Sequence, residues 1–297
     1  MYRIGIDLGG TNIAAGVVDE DNKIVAKQSV PTALPKSADG IADDMVLLLG
    51  MVCEKAGISF AEIEKIGIGT PGAVNSDGVV ENDANLGFKN TPLRELLAVR
   101  TGKVVSVGND ANCAALGEQV AGAGRGTSDF IAVTLGTGVG GGIVIGGKLL
   151  SGVNGAAGEI GHMVIDKEGI TCNCGNKGCF EQYASATALI RQARDAGLIV
   201  EGARGVFEAA HAGNQKAIDV VNTYVEYLAI GITNLVDIFQ PEMICIGGGV
   251  AAQGEYLLKP LCEKVASMRY TKYSEKQTEI CTAILGNDAG IIGAANL

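Results

Sequence analysis

IGIDLGGTNIAAGVV, residues 4–18, decides the fold. An apolar run from Tyr2 to Ile6 reads as a short buried strand. It stops at Asp7-Leu8-Gly9-Gly10-Thr11-Asn12, and strand-like alternation resumes over Ile13 to Val18 and Lys23 to Gln28. The pattern returns at FIAVTLGTGVGGGIVI, residues 130–145. There a strand from Phe130 to Leu135 meets the turn Gly136-Thr137-Gly138, and a second strand from Gly142 to Ile145 is followed by Lys148 to Leu150. The two hairpins read as one device used twice.

Working outward, residues 38–56 carry helical spacing, and Ile66 to Ile68 starts a strand that ends at Thr70-Pro71-Gly72. Val104 to Val107 is a further buried strand. Gly108-Asn109-Asp110-Ala111-Asn112 then opens an Ala-rich helix to about Val120. Helical stretches follow at about 185–196, 206–212 and 215–239. A strand from Met243 to Ile246 enters Gly247-Gly248-Gly249 and another helix, and the turn at 286–289 caps a short helix to Leu297. Strands alternating with helices in two similar halves predict a two-domain α/β protein with an interdomain cleft. The expected division is a small domain at 1–117, to which the helix at 286–297 returns, and a large domain at 118–285.

Composition limits the choices. A chain of 297 residues with 47% hydrophobic content builds a real core. The apolar run from Met45 to Cys53 is about half of the ~20 residues a membrane span needs, so no membrane partner is expected. The first residues lack a secretory pattern and the thiols read as reduced, which points to the cytoplasm. A net charge of −10 weighs against nucleic acid.

The stretch GHMVIDKEGITCNCGNKGCFE, residues 161–181, crowds His162, Cys172, Cys174 and Cys179 together. Thiolates and an imidazole at this spacing suit a closed tetrahedral zinc site. Four protein ligands leave no position for an activated water, so the metal reads as structural. Ordinary buried thiols are the competing reading, but those lie on apolar runs, as Cys53, Cys113 and Cys245 do. His211 lacks such company and reads as a surface or helix-end residue. Glu159 and Glu181 flank the cluster, and the metal would hold carboxylates beside it.

Three stretches pass as GxGxxG or its Ala variant, at Gly67, at Gly136 and at Gly247. The first holds Pro71 in the turn, the second runs into a strand, and the third has Lys272 where a ribose-binding acid belongs, so a nicotinamide enzyme is disfavoured. A Walker loop fails because Leu149 stands where Ser or Thr would hold magnesium. What remains is two turns, with Gly10, Thr11, Gly136, Thr137 and Gly138, that suit phosphates as backbone anion nests. Asp7 adds a carboxylate within reach of a Mg2+ ion between those phosphates.

Together these residues resemble the ROK family (repressors, uncharacterised open reading frames and kinases), bacterial sugar kinases of the actin-like ATPase (ribonuclease H-like) superfamily. The resemblance rests on D-L-G-G-T-N at 7–12, N-D-A-N at 109–112, L-G-T-G-V-G-G-G at 135–142, G-E-I-G-H at 158–162, C-N-C-G-N-K-G-C-F-E at 172–181 and I-G-G-G at 246–249. It implies that Asp110 is the catalytic base, against a bland reading as a helix N-cap. It implies that Asn85, Asn109, Asp110, Glu159, His162 and Glu181 contact sugar hydroxyls, with His162 also binding zinc. Asp7 would serve Mg2+, the turns with Gly9, Gly10, Thr11, Asn12, Gly136, Thr137 and Gly138 the phosphates of ATP, and Gly248 and Gly249 the nucleoside.

The segments V-N-G-A-A-G-E-I-G-H-M and E-N-D-A-N-L-G-F-K-N are most similar to glucokinases of Gram-positive type, which implies glucose as substrate and its 6-hydroxyl as acceptor. N-acetylglucosamine, N-acetylmannosamine, mannose and fructose kinases share the motifs. A sugar-responsive regulator of the same family would carry a winged helix ahead of the first hairpin, whereas Asp7 stands almost at the start. Relatives are commonly dimers or tetramers, so a homo-oligomer is expected.

Overall fold

The computed structural model describes residues 1–83 and 85–297. The chain divides into two compact units. The first comprises residues 1–127, 142–158 and 285–297, and the second residues 128–141 and 159–284.

In the first unit, β1 (Tyr2–Leu8), β2 (Asn12–Val18) and β3 (Ile24–Pro31) form an antiparallel meander. After α1 (Ala38–Ala56), β4 (Ile63–Thr70) adds parallel to β1. The short strands β5 (Ala73–Val74), β6 (Val80–Asn82) and β7 (Lys89–Thr91) make a separate small sheet. Beyond α2 (Leu93–Thr101), β8 (Val104–Asn109) pairs parallel with β4 and runs straight into α3 (Asp110–Ala121). The sheet order is β3-β2-β1-β4-β8.

The second sheet repeats the plan. Its strands are β9 (Phe130–Leu135), β10 (Val139–Ile145), β11 (Lys148–Leu149), β12 (Met243–Gly247) and β13 (Glu279–Thr282), in the order β11-β10-β9-β12-β13. The repeated hairpin read in the sequence is therefore real. The helices of the second unit are α4 (Glu181–Ala184), α5 (Ala186–Asp195), α6 (Gly202–His211), α7 (Gln215–Phe239) and α8 (Glu255–Met268). His211 ends α6, as expected, with its ring 4.1 Å from that of Tyr256.

Among the strand limits that differ from the sequence expectation, two lie at the glycine turns. β1 continues to Leu8, which puts Asp7 inside the strand, and β10 begins at Val139 rather than at Gly142. Glycine normally weakens a strand, but here it allows close approach. A Cβ on Gly141 would lie 2.4 Å from the Ile160 side chain, and one on Gly142 would lie 2.4 Å from Ala115 Cβ. The small sheet, β13 and α2 were not read from the sequence; strands of two to four residues are too short to show a period.

The C-terminal helix α9 (Asp288–Ala295) lies on the first sheet and against α3 at backbone distance. Cβ atoms built on Gly5 and Gly67 would stand 1.8 and 1.7 Å from the carbonyl oxygens of Ile291 and Ala294. A Cβ on Gly293 would stand 1.6 Å from the Cys113 carbonyl oxygen, and one on Gly117 2.1 Å from that of Ala289. No side chain fits these crossings. Gly293→Ala is expected to cost more than about 3 kcal/mol in denaturant unfolding, because backbone must move. Gly50→Ala, inside α1 with open space around it, is expected to stabilise by about 0.5–1 kcal/mol in the same experiment.

Candidate active site

In the first unit the sheet brings Asp7, Gly10, Asn85, Asn109 and Asp110 toward one region. Gly9 N–H donates to the Asn12 carbonyl at 2.9 Å, and Thr32 Oγ1 donates to the Gly9 carbonyl at 2.6 Å, so the first glycine turn is braced from β3's end. Gly10 sits against Asn85, whose Cβ would lie 3.4 Å from a Cβ added there. Thr11 and Asn12 are exposed. Of the segment at 81–90 only Ala84 lies outside the described residues.

Asp110 is not the cap of its helix. Asn109 is: its Oδ1 accepts from the N–H groups of Ala111 at 3.0 Å and Asn112 at 3.2 Å, while its Nδ2 donates to the Gly72 carbonyl at 3.2 Å. Two residues thus divide the work: Asn109 does the main capping, and the Asp110 carboxylate accepts from Ala111 N–H at 2.8 Å.

Burial raises the Asp110 pKa, backbone hydrogen bonds lower it, and the negative charge of Asp83 raises it again. Asp7 is pushed up to about 6, first by burial and then by the charge of Asp110. These are carboxylates with a high proton affinity, and a divalent cation at Asp7 would compensate both. Asp7 and Gly9 also line a cavity of about 620 Å3 with Asn12, Lys27 and Asp288, where Lys27 pairs with Asp288 at 2.7 Å.

In the second unit the turn between β9 and β10 is held on both sides. Gly136 N–H donates to the Gly138 carbonyl at 3.0 Å, Ala186 N–H to the Gly136 carbonyl at 2.8 Å, and Thr187 Oγ1 to the Thr137 carbonyl at 2.8 Å. Glu181, the first residue of α4, accepts from Val139 N–H at 3.2 Å. Its Oε2 occupies the space a Cβ on Gly138 would need, at 2.1 Å. Spacing did not reveal this link between the acid after the last cysteine and the glycine turn. Gly248, at φ +83°, packs over the end of β9: a Cβ there would lie 2.4 Å from the Leu135 carbonyl oxygen.

The four residues read as metal ligands converge. One donor atom from each of His162, Cys172, Cys174 and Cys179 lies within 4.8 Å of all the others. His162 Nδ1 is 3.7 Å from Cys172 Sγ, and the sulfurs of Cys174 and Cys179 are 3.6 Å apart. A tetrahedron with Zn–S arms of about 2.3 Å has edges of about 3.8 Å, so the set fits zinc. His162 ends a 3-10 turn and the three cysteines lie in the loop that follows, tied by bridges between Val164 and Cys179 and between Thr171 and Lys177.

Burial, then the neighbouring thiols, push Cys179 up to about 12. A bound divalent cation removes that cost by stabilising thiolates. Glu159 is exposed and precedes the 3-10 turn Ile160–His162, where its carbonyl accepts from His162 N–H at 3.1 Å. Glu181 is half-buried against the turn rather than solvated.

Two measurements test this geometry. Because Asp7 binds its proton more tightly folded than at the usual 3.8, metal-free protein loses stability as pH rises from about 4 through about 6. The loss is at most about 3 kcal/mol. Asp7→Asn, which stays neutral, should flatten that slope in thermal melts recorded in EDTA; identical slopes would contradict it. Elemental analysis is expected to find one zinc ion per wild-type chain and none in Cys174→Ser, whose Tm should be insensitive to chelator.

Comparison with known proteins agrees with this architecture. The ROK family model matches residues 3–297. A glucokinase of Thermotoga maritima is 37% identical over 100% of this chain and 97% of its own length. One of Halalkalibacterium halodurans is 39% identical over 98% of this chain and 93% of its own. Among solved structures, a ROK family glucokinase from Streptomyces griseus in complex with glucose and AMPPNP superimposes with a TM-score of 0.81 at 36% identity, covering 100% of this chain and 98% of that one. With matching motifs, two sheets of one plan and a family model that spans almost every residue, the chain belongs to the ROK family.

Proposed function

We propose that this protein is an ATP-dependent glucokinase that phosphorylates the 6-hydroxyl of glucose. One observation carries the reading: a half-buried carboxylate, Asp110, stands at the head of α3 beside its capping Asn109, in a chain that resembles glucokinases over its whole length. The hydroxyl oxygen attacks the γ-phosphorus, the bond to the ADP oxygen breaks, and the hydroxyl proton passes to Asp110.

Asn85, Asn109, Glu159, His162 and Glu181 are assigned to the sugar hydroxyls. The turns containing Gly9, Gly10, Thr11, Asn12, Gly136, Thr137 and Gly138 are assigned to the phosphates, and Gly248 and Gly249 to the nucleoside. Asp7 would hold Mg2+, which supplies charge neutralisation to the phosphates, and zinc would brace the loop from His162 to Glu181. The hydrogen bond from Val139 N–H to Glu181 gives that brace a second consequence, since one side chain then orders both the acid and the phosphate turn. No helix among the described residues is long and apolar enough to cross a membrane. A cytoplasmic homodimer or homotetramer completes the reading.

A coupled assay of ADP release over glucose, mannose, fructose, N-acetylglucosamine and N-acetylmannosamine decides the substrate. Glucose is expected to give the highest kcat/KM, and ATP hydrolysis without sugar stimulation would end the kinase reading. Asp110→Asn should lower kcat by about two to four orders of magnitude while calorimetric glucose binding persists.

A further inference from the structure

We propose that Asp83 is a positioning residue for phosphoryl transfer: its buried carboxylate holds the backbone that presents Asn85 and packs, through Gly72, on the Asn109 that caps the helix headed by Asp110. The inference rests on the glucokinase reading and extends it to a residue of the E-N-D-A-N segment to which the sequence reading gave no role.

Asp83 is 7% exposed. Its Oδ1 accepts from Asn85 N–H at 3.1 Å and its Oδ2 from Leu86 N–H at 2.5 Å, while its own N–H donates to the Phe88 carbonyl at 3.0 Å. Leu86 and Phe88 are buried, so the chain that follows Asn85 is anchored in the core. Both donors are backbone amides, and neither brings a compensating cation. Burying a carboxylate on amides alone is costly, and such a group persists where its geometry is needed. Each amide bonds a different carboxylate oxygen, so in an Asn the NH2 group would replace one of the two acceptors and face an N–H donor.

The same side chain touches the base's surroundings. Gly72, at φ +89°, packs on this segment so closely that a Cβ there would lie 2.4 Å from the Asn82 carbonyl oxygen and 3.0 Å from Asp83 Cβ. The Gly72 carbonyl in turn accepts from Asn109 Nδ2. A continuous path therefore runs from Asn85 through Asp83 and Gly72 to Asn109 and Asp110.

The ionisable groups that act on this region are Asp7 on β1, Asp83 after β6 and Cys113 on α3, where burial and the charges of Asp110 and Asp7 hold the thiol protonated. Asp83 raises the proton affinity of Asp110. A base must be ionised to act, so removing that charge moves the rising acid limb of the pH profile downward.

The test uses the full-length enzyme and two variants, Asp83→Asn and Asp83→Glu, assayed for KM of glucose, KM of MgATP, kcat and the acid limb of kcat/KM. Asp83→Asn should raise KM for glucose about tenfold, the effect of ~1.4 kcal/mol lost at the turn. KM for MgATP should stay within about twofold, and the acid limb should move to lower pH. Asp83→Glu keeps the charge and displaces it, so it should raise KM for glucose with the limb in place. In an Asn85→Ala background Asp83→Asn should add little to KM, because both act through one contact.

A lowered Tm with KM, kcat and acid limb all unmoved in both variants would reduce Asp83 to a structural residue and overturn the proposal. Absence of glucose-dependent ADP release from the unmodified chain would overturn the glucokinase reading instead, and with it this extension.

Discussion

Backbone-to-backbone contact between α9 and the elements beneath it is the constraint on which the first unit depends. Gly5, Gly67, Gly117 and Gly293 each stand where any Cβ would run into a carbonyl of the facing segment. The last helix of the chain can therefore settle directly on β1, β4 and α3. Once it does, the strand bearing Asp7 and the helix headed by Asp110 have no freedom to separate, since both are clamped by the same element. Close packing of this kind transmits position at sub-ångström precision because it leaves no slack to absorb a shift.

Electrostatics then acts on a fixed geometry. Asp7, Asp83 and Asp110 bring three acids toward one region, two of them with pKa values raised first by burial. Isolated, such an arrangement destabilises the folded chain; occupied by a cation, a proton or a hydroxyl donor, it becomes favourable. The site is thus built at the expense of stability and recovers it on binding.

The second unit solves a different problem. A glycine-rich turn has no side chains with which to hold itself, so its shape comes from the residues around it. Ala186, Thr187 and Glu181 supply the bonds. Glu181 comes two residues after Cys179, so a metal at the cysteine cluster would order the loop whose end orders the turn. In the proposed reading a structural ion there would support the chemistry through one carboxylate.

Local pattern alone determined much of this protein. The two glycine hairpins, the helix that begins at residue 110 and the ligand set His162, Cys172, Cys174 and Cys179 were all legible, because period, turn chemistry and ligand spacing are encoded within a few residues. The family resemblance rests on those same short runs. Tertiary structure alone decided which side chain caps α3, that Asp7 feels Asp110, that Asp83 stands behind Asn85, and that Glu181 reaches Val139. The first and third are choices between neighbouring polar side chains that the surrounding packing makes, the other two join distant segments, and desolvation has no signature in a string of residues until packing removes the water.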